Sequence, residues 1–133
     1  MSSILLVDDD VDYQVLCKRY LANNPDINYC MTTVETAKDA IETCRIGVFD
    51  CIVIDYALPD SSGTELVFAL HRVLGEWMPP AVILTAGGGE KAATQAIRVN
   101  ATDFLSKCDV TSSSLCRSID NAVKQARLGK LIR

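Results

Sequence analysis

Short apolar runs and longer amphipathic stretches take turns along this chain, and their spacing predicts its elements. Ile4, Leu5, Leu6 and Val7 form a fully apolar strand, and residues 50–55 and 81–85 carry two more such runs. Residues 27–32 and 103–106 complete a set of five strands. Between the first two, a helix reaches to about Asn24, with Val15, Leu16, Tyr20 and Leu21 on one face and Asp12 or a nearby acid as its cap. Asn23, Asn24, Pro25 and Asp26 break it. Thr33 or Glu35 opens a second helix through Ala37, Ala40, Ile41 and Cys44, closed at Gly47. Residues 59–63 turn into a third helix over 64–74. Pro79 and Pro80 introduce the fourth strand, and Gly87-Gly88-Gly89 leads into a helix over 90–99. The last helix runs from 111 to about 128, with Leu115, Ile119, Ala122, Val123 and Ala126 facing inward.

Five strands alternating with five helices describe an α/β domain. Strands 1, 3 and 4 are continuously apolar, as expected of central parallel strands covered by helices on both faces. The length of 133 residues suits one domain over 1–133, and no repeat or linker interrupts it. At 49% hydrophobic and 23% charged residues the chain can bury a core, which excludes disorder. Its apolar runs are too short to cross a bilayer, and Met1-Ser2-Ser3 offers no basic or apolar signal segment. A cytoplasmic location without membrane attachment is expected. The six cysteines include no C-x-x-C pair and are irregularly spaced, so reduced core thiols are expected rather than disulfides or a zinc site.

Charge is unevenly spread. Residues 1–108 hold eight Lys/Arg against fifteen Asp/Glu, an acidic body that argues against direct nucleic-acid binding. The basic tail (Arg117, Lys124, Arg127, Lys130, Arg133) suits the C-terminal end of a helix.

The polar residues fall at strand ends. Asp8, Asp9 and Asp10 follow strand 1, Asp55 ends strand 3, Thr85 ends strand 4 and Lys107 follows strand 5. In an open parallel sheet those ends share one edge, where ligands bind. In the flavodoxin-like order 2-1-3-4-5, taken from that fold rather than from this sequence, strands 1 and 3 are neighbours. Asp8, Asp9 and Asp55 then converge, with Thr85 and Lys107 opposite. Close carboxylates repel unless a cation joins them. Mg²⁺ takes a few carboxylates and keeps sites for water and phosphoryl oxygens. Asp55 can then attack phosphorus, with Lys107 and Thr85 neutralising and donating to the phosphoryl oxygens.

These residues resemble the receiver domain of a two-component response regulator over essentially the whole chain. The resemblance is carried by I-L-L-V-D-D-D at 4–10, V-I-D-Y-A-L-P-D-S-S-G at 53–63, V-I-L-T-A at 82–86 and A-T-D-F-L-S-K at 101–107. It implies the flavodoxin-like (βα)5 three-layer sandwich and a phosphorylation-activated switch. By that likeness Asp55 is the phosphoacceptor. Asp9, Asp55 and the backbone carbonyl of Ala57 ligate Mg²⁺, with Asp8 acting through water. Thr85 and Phe104 are the switch pair, and Lys107 pairs with the phosphate. The donor is a phosphohistidine on a histidine kinase or phosphotransfer protein. The remodelled face spans helix 4, strand 5 and helix 5, including Lys91, Gln95, Arg98 and residues near Arg117. It binds an output domain, another protein or a second receiver, homodimerisation included. No turnover enzyme is implied, only self-phosphotransfer and autodephosphorylation.

The chain departs from the family pattern in places. Lys107 is followed by Cys108 instead of a cis-proline, so a trans bond is expected. Asn100 stands where glycine is usual, and Asn tolerates a left-handed conformation. Gly87-Gly88-Gly89 replaces a more varied loop and suits a mobile switch. It also resembles a phosphate loop, but lacks the G-x-x-x-x-G-K-[ST] spacing. Two alternatives stay open. One is a pseudo-receiver that binds partners without phosphorylation. The other is a Mg²⁺-dependent phosphohydrolase of the haloacid dehalogenase type, although Ala57 stands where that group needs a second acid. His71 is read as a solvated or half-buried helix residue with no catalytic role, and Trp77 as packing on a loop, with a partner contact as the alternative.

Overall fold

The computed structural model describes residues 2–87 and 90–131, without the side chains of residues 90–92, 130 and 131. Gly88, Gly89, Arg133 and the side chains of Lys91 and Lys130 therefore lie outside the described residues. Strands β1 (Ser2–Val7), β2 (Tyr29–Val34), β3 (Cys51–Asp55), β4 (Ala81–Thr85) and β5 (Asp103–Ser106) form one parallel sheet in the order β2-β1-β3-β4-β5. Helices α1 (Val11–Ala22), α2 (Ala37–Ile46), α3 (Gly63–Leu74), α4 (Glu90–Arg98) and α5 (Ser112–Leu131) connect and cover it, with a 3₁₀ turn at Gly75–Trp77 before β4. This is the flavodoxin-like architecture expected.

The pleat explains why the central strands read as unbroken apolar runs. Successive side chains point to opposite faces, so a strand covered on both sides must be apolar at every position. Ile4, Leu6, Cys51, Val53, Val82 and Leu84 pack with α1 and α5, through Cys17, Leu21, Leu115 and Ile119. Leu5, Val7, Ile52, Ile54 and Ile83 pack with α2, α3 and α4, through Ala40, Leu66, Leu70 and Ala96. Edge strand β2 contributes Tyr29 and Met31 to the first core.

Local chemistry sets the helix starts. The Asp10 carboxylate accepts the backbone N–H groups of Asp12 and Tyr13 and caps α1. Ser62 caps α3 through the Glu65 N–H. The α2 cap is Thr36, accepting from Asp39, and not Thr33 or Glu35. The sequence reading started that helix early because β2 continues to Val34, where it pairs with Val7. Val15 is exposed, and Cys17 takes the inward place expected of it. Trp77 is exposed too, rather than packed on its loop. All six cysteines are free thiols, four of them buried. Asn100 has a φ of 61°, the left-handed conformation anticipated for it. No cis peptide bond occurs among the described residues, so Lys107–Cys108 is trans. None of the described helices is long and apolar enough to cross a membrane.

Candidate functional site at the carboxyl edge of the sheet

The register of β1 on β3 sets Val7 beside Ile54, so the residues that follow, Asp8 and Asp55, meet at the strand tips. Asp8 is fully buried, and each of its carboxylate oxygens has a hydrogen-bond partner. Its Oδ1 accepts the Asp10 N–H at 2.9 Å, its Oδ2 accepts Lys107 Nζ at 2.8 Å, and its carbonyl accepts Gln14 Nε2 at 2.6 Å. Asp9 stays exposed. Lys107 is brought in by β5, and its N–H donates to the Thr85 carbonyl at 2.8 Å. Its ammonium also lies 3.4 Å from Asp55 Oδ1.

The start of α3 presses close behind the Asp55 backbone. Gly63 N–H donates to the Tyr56 carbonyl at 2.6 Å. A Cβ on Gly63 would sit 2.7 Å from the Asp55 carbonyl oxygen and 3.0 Å from Tyr56 Cα. Such contacts leave no room for a side chain, so the glycine lets helix and strand tip meet. The Ala57 N–H, on the same turn, lies 3.4 Å from Asp55 Oδ1.

Electrostatics follow from this packing. Burial, and next the charge of Asp8, push the Asp55 carboxyl above its ordinary value, against the lowering effect of Lys107 and the Ala57 N–H. Burial pulls Lys107 down, but its hydrogen bond to Asp8 and the charge of Asp55 outweigh it, and its net shift is upward. Lys107 thus only partly offsets what burial and Asp8 do to Asp55. One carboxylate oxygen from each of Asp8, Asp9 and Asp55 lies within 4.8 Å of the others. An all-oxygen, carboxylate-rich set of this size fits a hard divalent cation such as Mg²⁺. Asp8 has both oxygens committed, which leaves Asp9 and Asp55 better placed for direct ligation.

Asp8, Asp9, Asp55 and Lys107 therefore converge as the sequence suggested. Thr85 stands at the neighbouring strand end, buried, but its hydroxyl donates to the Gly87 carbonyl at 2.8 Å and not to the acidic cluster. Phe104 is half-buried against the core shared with α2, α3 and α4. Gln95 turns toward the β3–α3 side of α4, where its Oε1 accepts from Tyr56 Oη at 2.8 Å and from Thr64 Oγ1 at 3.4 Å. Arg98 and Arg117 are exposed. Sequence reasoning missed Tyr13, whose ring centroid lies 4.2 Å from Lys107 Nζ, and Gln14. It also missed Asp60, whose carboxylate accepts the Ala37 and Lys38 N–H groups at the start of α2. Tyr13 and Gln14 were findable: a helix that starts at the strand tip turns its first residues toward the same edge.

Comparison with known proteins follows the same lines. The family model of the response regulator receiver domain matches residues 4–120. The chain is 32% identical over 123 residues to the regulatory protein LuxO of Vibrio cholerae, covering 91% of this chain and 25% of that protein. It is 28% identical over 104 residues to the regulatory protein VanR of Enterococcus faecium, covering 78% of this chain and 42% of that one. The chain thus spans about a quarter of the length of the LuxO relatives it matches. Among solved structures, the signal receiver domain of a Luxo repressor protein from Vibrio parahaemolyticus superposes with a TM-score of 0.86 at 30% identity, covering 99% of this chain and 97% of that one. A CheY-like receiver domain from Methanospirillum hungatei shares the fold at a TM-score of 0.84 and 21% identity, over 97% and 98% of the two chains.

Proposed function

Because the chain belongs to the response regulator receiver domain family, we propose that Asp55 accepts a phosphoryl group from a phosphohistidine donor and that this switches the protein's binding surface. The observation that carries this reading is the Asp55 carboxylate itself, flanked by two acids within 4.8 Å and an ammonium at 3.4 Å. Mg²⁺, held by Asp9, Asp55 and the Ala57 carbonyl with Asp8 acting through water, would supply neutralisation of the crowded negative charge.

This chain's residues do the rest. An Asp55 oxygen forms the new O–P bond while the donor's N–P bond breaks. The electron pair of the broken bond stays with the imidazole, which takes up a proton. Lys107, already 2.8 Å from Asp8 and 3.4 Å from Asp55, moves its charge onto a phosphoryl oxygen. Thr85 exchanges its bond to the Gly87 carbonyl for another phosphoryl oxygen. Phe104 follows into the space the threonine leaves, and the surface of α4, β5 and α5 changes shape. A partner is recruited to the extent that it prefers the phosphorylated conformer.

The donor is a sensor histidine kinase or a phosphotransfer protein. The recipient of the signal is an output domain, a second receiver or a separate protein. The match to one part of regulatory proteins such as LuxO and VanR favours an output domain. Receivers of this family are signalling modules, and the phosphohydrolase alternative has no support from the family match. We place the protein in the cytoplasm, the location expected of a response regulator receiver domain.

The test is incubation with acetyl phosphate and Mg²⁺ followed by intact mass. The wild type is expected to gain one phosphoryl group and Asp55→Asn none. A gain that persists in Asp55→Asn removes the assignment.

A further inference from the structure

The Lys107 ammonium carries three N–H donors. Asp8 Oδ2 at 2.8 Å and Asp55 Oδ1 at 3.4 Å lie within reach as anionic acceptors for two of them. Against the ammonium also lies the ring of Tyr13, with its centroid 4.2 Å from Nζ. At that range the negative ring face attracts a cation, the more so because the lysine side chain is only 15% exposed.

The ring is held from both ends. Its backbone N–H donates to the Asp10 carboxylate at 3.3 Å, on the same loop that places Asp8 and Asp9. Its side chain packs against the core formed with α5, and its hydroxyl is buried there without a hydrogen-bond partner. A buried, unpartnered hydroxyl costs stability, so what the residue brings to the site is the ring face.

We propose that Tyr13 is a positioning residue for phosphoryl transfer, its ring holding the Lys107 ammonium over the Asp55 carboxylate in readiness for the incoming group. The proposal rests on Asp55 being the phosphoacceptor. The physical advantage lies in the exchange Lys107 must make. It has to release a carboxylate oxygen and take a phosphoryl oxygen in the same small space. A hydrogen-bond acceptor in place of the ring would compete for the free N–H and hold the ammonium back. An aliphatic side chain would desolvate the charge and return nothing. An aromatic face attracts the cation without fixing its direction, so Nζ can shift between acceptors while staying against the ring.

The experiment compares Tyr13→Phe with two ring-free variants, Tyr13→Leu and Tyr13→Met, so that failure of one to fold leaves the other. Two quantities are measured on each. One is the rate of phosphorylation by acetyl phosphate at saturating Mg²⁺. The other is the ring-current shift of the Lys107 ε-methylene protons by NMR in the unphosphorylated protein. Tyr13→Phe is expected to keep the rate and the upfield shift. The ring-free variants are expected to lose the shift and to slow by on the order of three- to tenfold, the range of a partly desolvated cation–π contact. A ring-free variant that folds and reacts at the wild-type rate overturns the proposal. So does a Tyr13→Phe variant as slow as Tyr13→Leu, because the hydroxyl would then be the active part. If the wild type takes no phosphoryl group, the phosphoacceptor reading is what falls. The ring-current shift still decides whether Tyr13 holds Lys107.

Discussion

At the edge where the strands end, Asp8 and Asp55 are buried and Lys107 nearly so, and each is held by groups from other elements. At the opposite edge, where β3 and β4 begin, large apolar side chains are exposed instead: Ile46 at 89%, Val48 at 90% and Trp77 at 77%. These residues border a cleft of about 570 Å³ that Phe49, Pro79 and Pro80 also line. One sheet thus carries buried charge at one end and exposed hydrocarbon at the other. The contrast shows where the fold depends on individual atoms. Exposed apolar side chains are common and cost little to replace. Buried charges are tolerated only while their partners stay in place.

Removing one partner at the charged edge should break the contrast most severely. Lys107→Ala leaves Asp8 buried without its cation, and urea unfolding is expected to show a loss of about 3–5 kcal/mol, the usual cost of orphaning a buried ion. A loss below 1 kcal/mol would mean that water replaces the lysine freely. Next comes Gly63→Ala, whose new Cβ meets the Asp55 and Tyr56 backbone. Overpacking of this kind is expected to cost about 1–3 kcal/mol, with slower phosphorylation because the Asp55 tip is displaced.

A smaller effect of opposite sign is expected from Asp55→Asn. The folded-state carboxyl is shifted up by burial and by Asp8, so the fold favours its protonated form. The stability this group contributes is fully present below its unfolded-state value and is lost as pH rises through the raised folded value. At neutral pH without divalent cations the variant should therefore be more stable than wild type, by on the order of 1 kcal/mol. The gap should close as pH falls through that window, and Mg²⁺ should stabilise the wild type more than the variant. Thermal unfolding against pH, with and without Mg²⁺, reads all three. The smallest change belongs to the other edge: Trp77→Ser is expected to stay within about 0.5 kcal/mol, and a larger loss would show that the exposed cleft is structural.

How much of this was legible before the structure varied with the kind of signal. The bounds of β4 and β5 read correctly from sequence, because an apolar run before the Thr85 strand end and a short run before Lys107 have few alternative registers. The converging acids were legible too, since topology alone brings strand ends to one edge. The start of α2 was not, because Thr33, Glu35 and Thr36 are all plausible starts; the pairing of Val34 with Val7 rules out Thr33, and the bond from the Asp39 N–H to the Thr36 hydroxyl selects Thr36. Trp77 was misplaced because its exposure depends on the 3₁₀ turn at Gly75–Trp77, which no periodicity announces. The contact of Tyr13 with Lys107 spans β5 and α1, and nothing local to either stretch reports it.

The most direct test of the account is to locate the phosphoryl group. The protein is treated with acetyl phosphate in the presence or absence of Mg²⁺, the acyl phosphate is reduced with borohydride, and the peptides are mapped by mass. Conversion of Asp55 to homoserine, dependent on Mg²⁺ and confined to that residue, is the expected result. Reduction at Asp8 or Asp9 instead, or labelling of Asp55 that ignores Mg²⁺, would contradict it.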